Sequence, residues 1–103
     1  MELTRILDSL KDADGQPARG RIVVECPGFI AADNTAVAAG PVTYNIPALD
    51  PGKVDFWLAP TEGSDPPSAY KVRYFLSHGA AYEETWNVPR VGPVTIGQAR
   101  GTA

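Results

Sequence analysis

One cysteine, one histidine and one methionine are all that the 103 residues hold of those types, and each scarcity closes a route. Cys26 has no partner for an intrachain disulfide, so packing alone must hold the fold. With one histidine and one cysteine a zinc site would have to recruit carboxylates, and no ligand spacing offers them. Basic residues are few, 9 against 12 acidic ones, and the net charge is -3. That balance repels phosphate, and no basic run is present, so the expectation is no nucleic-acid partner. No apolar run reaches the roughly eighteen residues of a membrane span, so no membrane role is expected. The first ten residues carry Glu2, Arg5 and Asp8 and no apolar centre, unlike a signal peptide; synthesis in a cytoplasm is expected.

Ten prolines and ten glycines are present instead, dispersed rather than periodic. Such a distribution makes many turns between short elements. With 44% apolar and 20% charged residues, the chain has the composition of an ordinary globular protein. Its length suits one hydrophobic core and one domain over 1–103.

Strand signals recur along that length. Leu3–Leu7 alternates and reads as a first strand, with a short amphipathic helix as the competing reading; residues 1–17 then form an N-terminal strand or arm plus a turn. Arg21–Cys26 is short and β-branched, and Pro27-Gly28 ends it. Phe29–Ala39 has a weak pattern and reads as a long connection with an irregular strand piece. Val42, Tyr44 and Ile46 share one face of the next strand. In Val54–Leu58, residues Val54, Phe56 and Leu58 point one way and Asp55 and Trp57 the other. Tyr70–Leu76 and Tyr82–Val88 form two further strands joined by Ser77–Ala81, a hairpin loop holding the needed glycine. A last strand is expected over Pro93–Ile96. About seven short strands with regular turn signals predict an all-β, single-domain antiparallel β-sandwich, immunoglobulin-like or transthyretin-like.

Residues with chemical potential are few, and each has a plainer reading. His78 falls in the hairpin loop without converging partners, so a solvated histidine is favoured over a base or ligand. Cys26 ends an apolar run and reads as a buried, inert thiol. Asp12-Ala13-Asp14-Gly15 begins like a calcium loop but lacks its third acid and bidentate glutamate, so turn chemistry is favoured. Glu83 and Glu84 are adjacent in a strand and point to opposite faces, so they cannot act as a catalytic pair. Both are expected to pair with Lys71 and Arg73 across the hairpin. No phosphate-binding glycine motif occurs. The chain is therefore expected not to be an enzyme, and no cofactor is implied.

Trp57 alternates away from its apolar neighbours, so either it is exposed or its strand is covered on both faces. An exposed tryptophan marks a contact with another protein more often than a sugar platform. Contact candidates are Leu3, Ile6, Phe29, Ile30 and Trp57, the first two on a strand that could pair outside the domain.

From Ala18 onward the order of pieces resembles a β-sandwich domain of tailed-phage virion proteins. The resembling features are Gly15–Gly20 before Ile22-Val23-Val24, then Val54–Pro60 with its polar loop, Tyr70–Tyr74, and the ending Tyr82–Pro89 followed by Gly92–Ile96. In that family, tryptophan, any residue, valine and proline precede a glycine-proline-valine strand, as Trp86-Asn87-Val88-Pro89 and Gly92-Pro93-Val94 do here. The resemblance implies a virion structural protein: a tail-fibre domain, a baseplate or collar adaptor, or a capsid decoration. Other virion proteins would be its partners, and a homo-oligomer, a trimer above all, is implied. The finished ending favours a free-standing protein over a domain of a longer fibre. The alternative from another class is a carbohydrate-binding β-sandwich module, for which Trp57 and Tyr44 are the available rings. A transthyretin-like hydrolase would use several histidines and is disfavoured by the single His78.

Overall fold

The structure, a computed structural model, describes residues 2–12, 14–77 and 81–100. It is all-β, with strands β1 (Thr4–Ser9), β2 (Gly20–Cys26), β3 (Phe29–Ile30), β4 (Ala36–Val37), β5 (Gly40–Asn45), β6 (Lys53–Leu58), β7 (Tyr70–Leu76) and β8 (Tyr82–Trp86), and one short helix, α1 (Ile96–Arg100). β5, β2, β7 and β8 form a four-stranded antiparallel sheet in that order, and β1 pairs with β6 in a smaller one. β3 and β4 make a separate miniature hairpin.

Period-two alternation builds the large sheet. Ile22 and Val24 on β2, Tyr70, Val72 and Tyr74 on β7, and Trp86 on β8 all turn inward and are buried. Ile6, Val54 and Leu58 of the small sheet join the same cluster, as do Phe29 and Ala31 at the β3 hairpin. Rings connect the layers: Phe56 of β6 stacks on Tyr44 of β5 at 4.9 Å and lies 6.2 Å from Trp86 of β8. Tyr44 also donates its hydroxyl to the Lys53 carbonyl at 2.6 Å, tying β5 to β6. The Trp86 indole N–H finds no acceptor among the described residues, so this ring serves the core by its volume.

Polar bonds close the ends of the layers. The buried Tyr70 hydroxyl donates to the Ala59 carbonyl at 2.5 Å, and burial pushes its pKa up. Thr61 Oγ1 accepts the Val88 N–H at 2.9 Å. Gly52 holds φ +84°, and a Cβ there would meet the Leu10 carbonyl at 2.7 Å, so the turn before β6 needs glycine.

Several expectations change here. The first strand is a strand, not a helix, but runs Thr4–Ser9. The weak Phe29–Ala39 stretch, expected to hold one irregular strand piece, holds two two-residue strands paired as a hairpin. Val42 shares parity with Tyr44 and Ile46 yet is exposed, because it lies on β5 at the sheet edge. The last strand shrinks to a parallel bridge at Val94 beside Ile6, and Ile96 enters α1. The reason is local: Thr95 Oγ1 accepts the Gln98 N–H at 3.1 Å, and the Gln98 side chain accepts the Thr95 N–H at 2.9 Å. This reciprocal capping box starts a helix where β-propensity alone would continue a strand. Glu83 pairs with Arg73 as expected, at 2.8 Å, but Glu84 turns to the other face and is paired by Arg100 of α1. The two strands of the expected hairpin do pair antiparallel, while residues 78–80 of the Ser77–Ala81 loop, His78 among them, lie outside the described residues.

Truncating the β2 core residue Ile22 should cost about 2–5 kcal/mol, because the rigid surroundings close only part of the cavity. Thermal unfolding of Ile22→Ala should show a midpoint at least about 8 °C lower, while Thr43→Ala on the exposed β5 edge should leave it nearly unchanged.

Candidate functional site: the outward face of the small sheet

The domain has two large outward faces, and they differ in chemistry. On the four-stranded sheet the outward residues are Arg21, Val23 and Glu25 of β2 and Lys71, Arg73 and Phe75 of β7. Register places Glu25 opposite Lys71 and Arg21 opposite Phe75. Arg73 bonds Glu83 at 2.8 Å, and the Arg21 guanidinium lies 4.8 Å from the Phe75 ring centre. Cross-strand charge pairs, and an arginine set against the one exposed ring, Phe75, are what a water-facing sheet carries. This face is built for solvent.

The small sheet is different. Alternation sends Thr4 and Ile6 of β1 into the core and leaves Leu3, Arg5 and Leu7 outside; on β6 it buries Val54 and Leu58 and turns out Asp55 and Trp57. Trp57 is 55% exposed, Leu3 46% and Leu7 36%. On the far side of β1 the chain returns as Arg90–Val94, fixed by the Leu7 N–H to the Val94 carbonyl and the Val94 N–H to the Arg5 carbonyl, each at 2.9 Å. That segment adds Val91, 82% exposed, to the same side. Leu3, Arg5, Trp57, Arg90, Val91 and Pro93 surround an open cavity of about 320 Å³, which Glu2 also lines.

Arg5 sits at the centre of this face. Its guanidinium grips Asp55 with two bonds of 2.7 Å, Nε to Oδ1 and the terminal nitrogen to Oδ2, and lies 6.0 Å from the Trp57 ring centre. This two-pronged grip is the strong form of ion pairing. The bond from Arg5 holds the Asp55 carboxyl below its ordinary pKa, and the same bond pushes Arg5 up. The pair neutralises its own charges and leaves Trp57 and its apolar neighbours as the available surface. Among the described residues, no three His, Cys, Asp or Glu side chains gather to hold a metal.

Of the five contact candidates, the structure brings Leu3 and Trp57 together on this face. Ile6 and Phe29 are corrected: both are buried, Ile6 because even positions of β1 face the core, Phe29 because it packs edge-on against Tyr70 at 6.2 Å. Ile30 is exposed, but its main chain is bonded both ways to Asp65 and it lines neither of the cavities beside Arg90. Leu7, Val91 and Arg90 were missed. Leu7 follows from the odd-numbered alternation Leu3-Arg5-Leu7; nothing local marks Val91 or Arg90, which reach the face through chain return. The Asp12 carboxylate accepts the N–H groups of Asp14 at 2.9 Å and Gln16 at 3.1 Å, so its oxygen shapes a turn.

The chain matches no protein-family model, and no curated protein or solved structure is significantly similar to it.

Because the folded Asp55 carboxyl titrates below its unfolded value, its contribution to stability is full above the ordinary carboxylate range. It is lost as pH falls through the lowered folded value. NMR titration of the Asp55 carboxyl should therefore give a pKa below 3.8, and Arg5→Ala should return it to the ordinary range. An unchanged Asp55 titration in Arg5→Ala would contradict the assigned cause.

Proposed function

We propose that this domain is a non-enzymatic structural component of a tailed-phage particle, and that it docks onto other virion proteins through the outward face of the small sheet. The observation that carries the docking is the half-exposed Trp57, set among Leu3, Leu7 and Val91 on a face whose central charges are already paired. Tryptophan anchors on a locally apolar patch are the usual energetic centre of protein contacts. The opposite face, laced with charge pairs, supplies solubility.

The virion assignment draws support from the motif resemblance. Its specific residues are the ones that close this domain: Trp86 and Val88 enter the core, and Val94 joins the edge of β1. Strand order weighs against the immunoglobulin-like form, where strands A, B, E and D form one sheet and C, F and G the other. Here the second and third long strands, β2 and β5, pair within one sheet, whereas strands B and C of that form lie in different sheets. On this reading the domain resides in the virion, in a tail fibre, a baseplate or collar adaptor, or a capsid decoration. A carbohydrate platform would need a second ring beside Trp57, and Tyr44 is instead stacked on Phe56.

Particles purified from the source should contain this protein at a fixed copy number by quantitative mass spectrometry. Trp57→Ala should fold with an unchanged melting temperature and be incorporated at least about tenfold less, as loss of a contact anchor requires. Absence from every particle, or incorporation of Trp57→Ala at the wild-type level, would overturn the reading.

A further inference from the structure

The ladders of both sheets form without the C-terminal segment Val94–Arg100, which is fastened to them at a few points. Val94 lies along the outer edge of β1 on two main-chain bonds of 2.9 Å, from the Leu7 N–H to its carbonyl and from its own N–H to the Arg5 carbonyl. Asp8 Oδ2 accepts the Ile96 N–H at 3.0 Å, and the Asn87 N–H donates to the Ala99 carbonyl at 3.0 Å. Arg100 grips Glu84 through two nitrogens, the terminal one 3.0 Å from Oε1. The segment joins the rest of the chain through Arg90, Val91, Gly92 and Pro93, all exposed.

α1 does not hold itself together. It is five residues long with Gly97 inside, far below the length at which a helix is stable alone. Its place depends on the Asp8 and Asn87 bonds, on Ile96 and Ala99 in the core, and on the Arg100–Glu84 pair.

What lies against α1 works the other way. Register puts Tyr74, Glu84 and Trp86 on the inner face of β7 and β8, and α1 packs on β8. Tyr74 and Trp86 are wholly buried, and neither the hydroxyl nor the indole N–H has a hydrogen-bond partner among the described residues. Burial, and then the neighbouring Glu84 carboxylate, push the Tyr74 pKa up, so its hydroxyl stays a donor without an acceptor in bonding geometry. An unpaired buried donor costs the closed form its desolvation, and that cost vanishes when water reaches the group. Two such donors beside a segment with few fastenings narrow the gap between its closed and open forms.

We infer that Val94–Arg100 is a strap that opens and recloses as one unit while both sheets stay folded. Opening uncovers the outer edge of β1, freeing the Leu7 N–H and the Arg5 carbonyl, and admits water to Tyr74 and Trp86. This holds whatever the face around Trp57 binds.

Amide hydrogen exchange followed by NMR on the full chain tests the strap, with Ile22→Ala, Arg100→Ala and Tyr74→Phe beside the wild type. Leu7, Asn87, Val94 and Ile96 donate the bonds that opening breaks. Their amides should share one opening constant, at least about a hundredfold larger than that of Ile22 and Val24 in the central strand β2. Ile22→Ala weakens the closed and open forms alike, so it should speed exchange at Val24 and leave the four strap-bonded amides unchanged. Arg100→Ala should raise their opening constant at least about tenfold, because Glu84 then loses its partner. Tyr74→Phe removes an unpaired donor and keeps the ring, so it should lower the constant at least about threefold. A hydroxyl bonded in the closed form would give the opposite sign. Three results would each overturn the inference: exchange that slows stepwise from Ile96 to Leu7, as in fraying; strap-bonded amides that follow Val24 in Ile22→Ala; or Tyr74→Phe that leaves opening unchanged or faster.

Discussion

Two strands must cover the inner face of four, and the rest of this fold follows from that mismatch. Ile22, Val24, Tyr70, Val72, Tyr74 and Trp86 present a wide apolar surface, each large side chain contributing about 1.5–3 kcal/mol when removed from water. β1 and β6 supply only Ile6, Val54 and Leu58 as buried apolar partners, with Phe56 as a half-buried bridge. Other elements complete the cover. The β3 hairpin brings Phe29 and Ala31, and the C-terminal segment brings Val94, Ile96 and Ala99. Asp8 helps hold that segment, its Oδ2 accepting the Ile96 N–H at 3.0 Å. Among the described residues no further layer lies behind the small sheet, and Trp57, Leu3 and Leu7 stay exposed on it.

The two tryptophans record this division. Trp86, on the edge strand of the large sheet, is wholly buried and fills space between layers. Trp57, on the small sheet, is half exposed beside an arginine whose charge is already neutralised. The same alternation that fixes the core on β6 therefore turns Trp57 outward, so neither can be moved without the other. A one-residue slip in the β1–β6 register would invert both at once.

Much of this was legible in the sequence, and the failures have physical causes. Strict alternation over Val54–Leu58 and Tyr70–Tyr74 set the inward and outward residues correctly, because both strands lie between two chemically unlike sides. The outward turn of Trp57 followed from the same pattern, though whether a second layer covered it did not. Ile6 went astray because a strand that pairs outside a domain looks identical in sequence to one buried within it. Phe29 went astray because its strand, β3, is two residues long, too short for any periodicity. The helix at Ile96 had a readable signal, Thr95-Ile96-Gly97-Gln98, but a five-residue helix with a glycine inside is outweighed by β-branched neighbours unless the cap is sought. Arg90 and Val91 reach the cavity beside Trp57 only through tertiary return of the chain beside β1, which no local pattern encodes.

The central claim is that the small sheet leaves Trp57 in water while the large one seals Trp86 away. Proton exchange of the two indole N–H groups, followed by NMR on dilute protein, tests it most directly. The account predicts one indole exchanging at nearly the free rate, assigned to Trp57 by its loss in Trp57→Phe, and one strongly protected. Two protected indoles in dilute monomer would mean that the small sheet is covered within the domain, and would contradict the account.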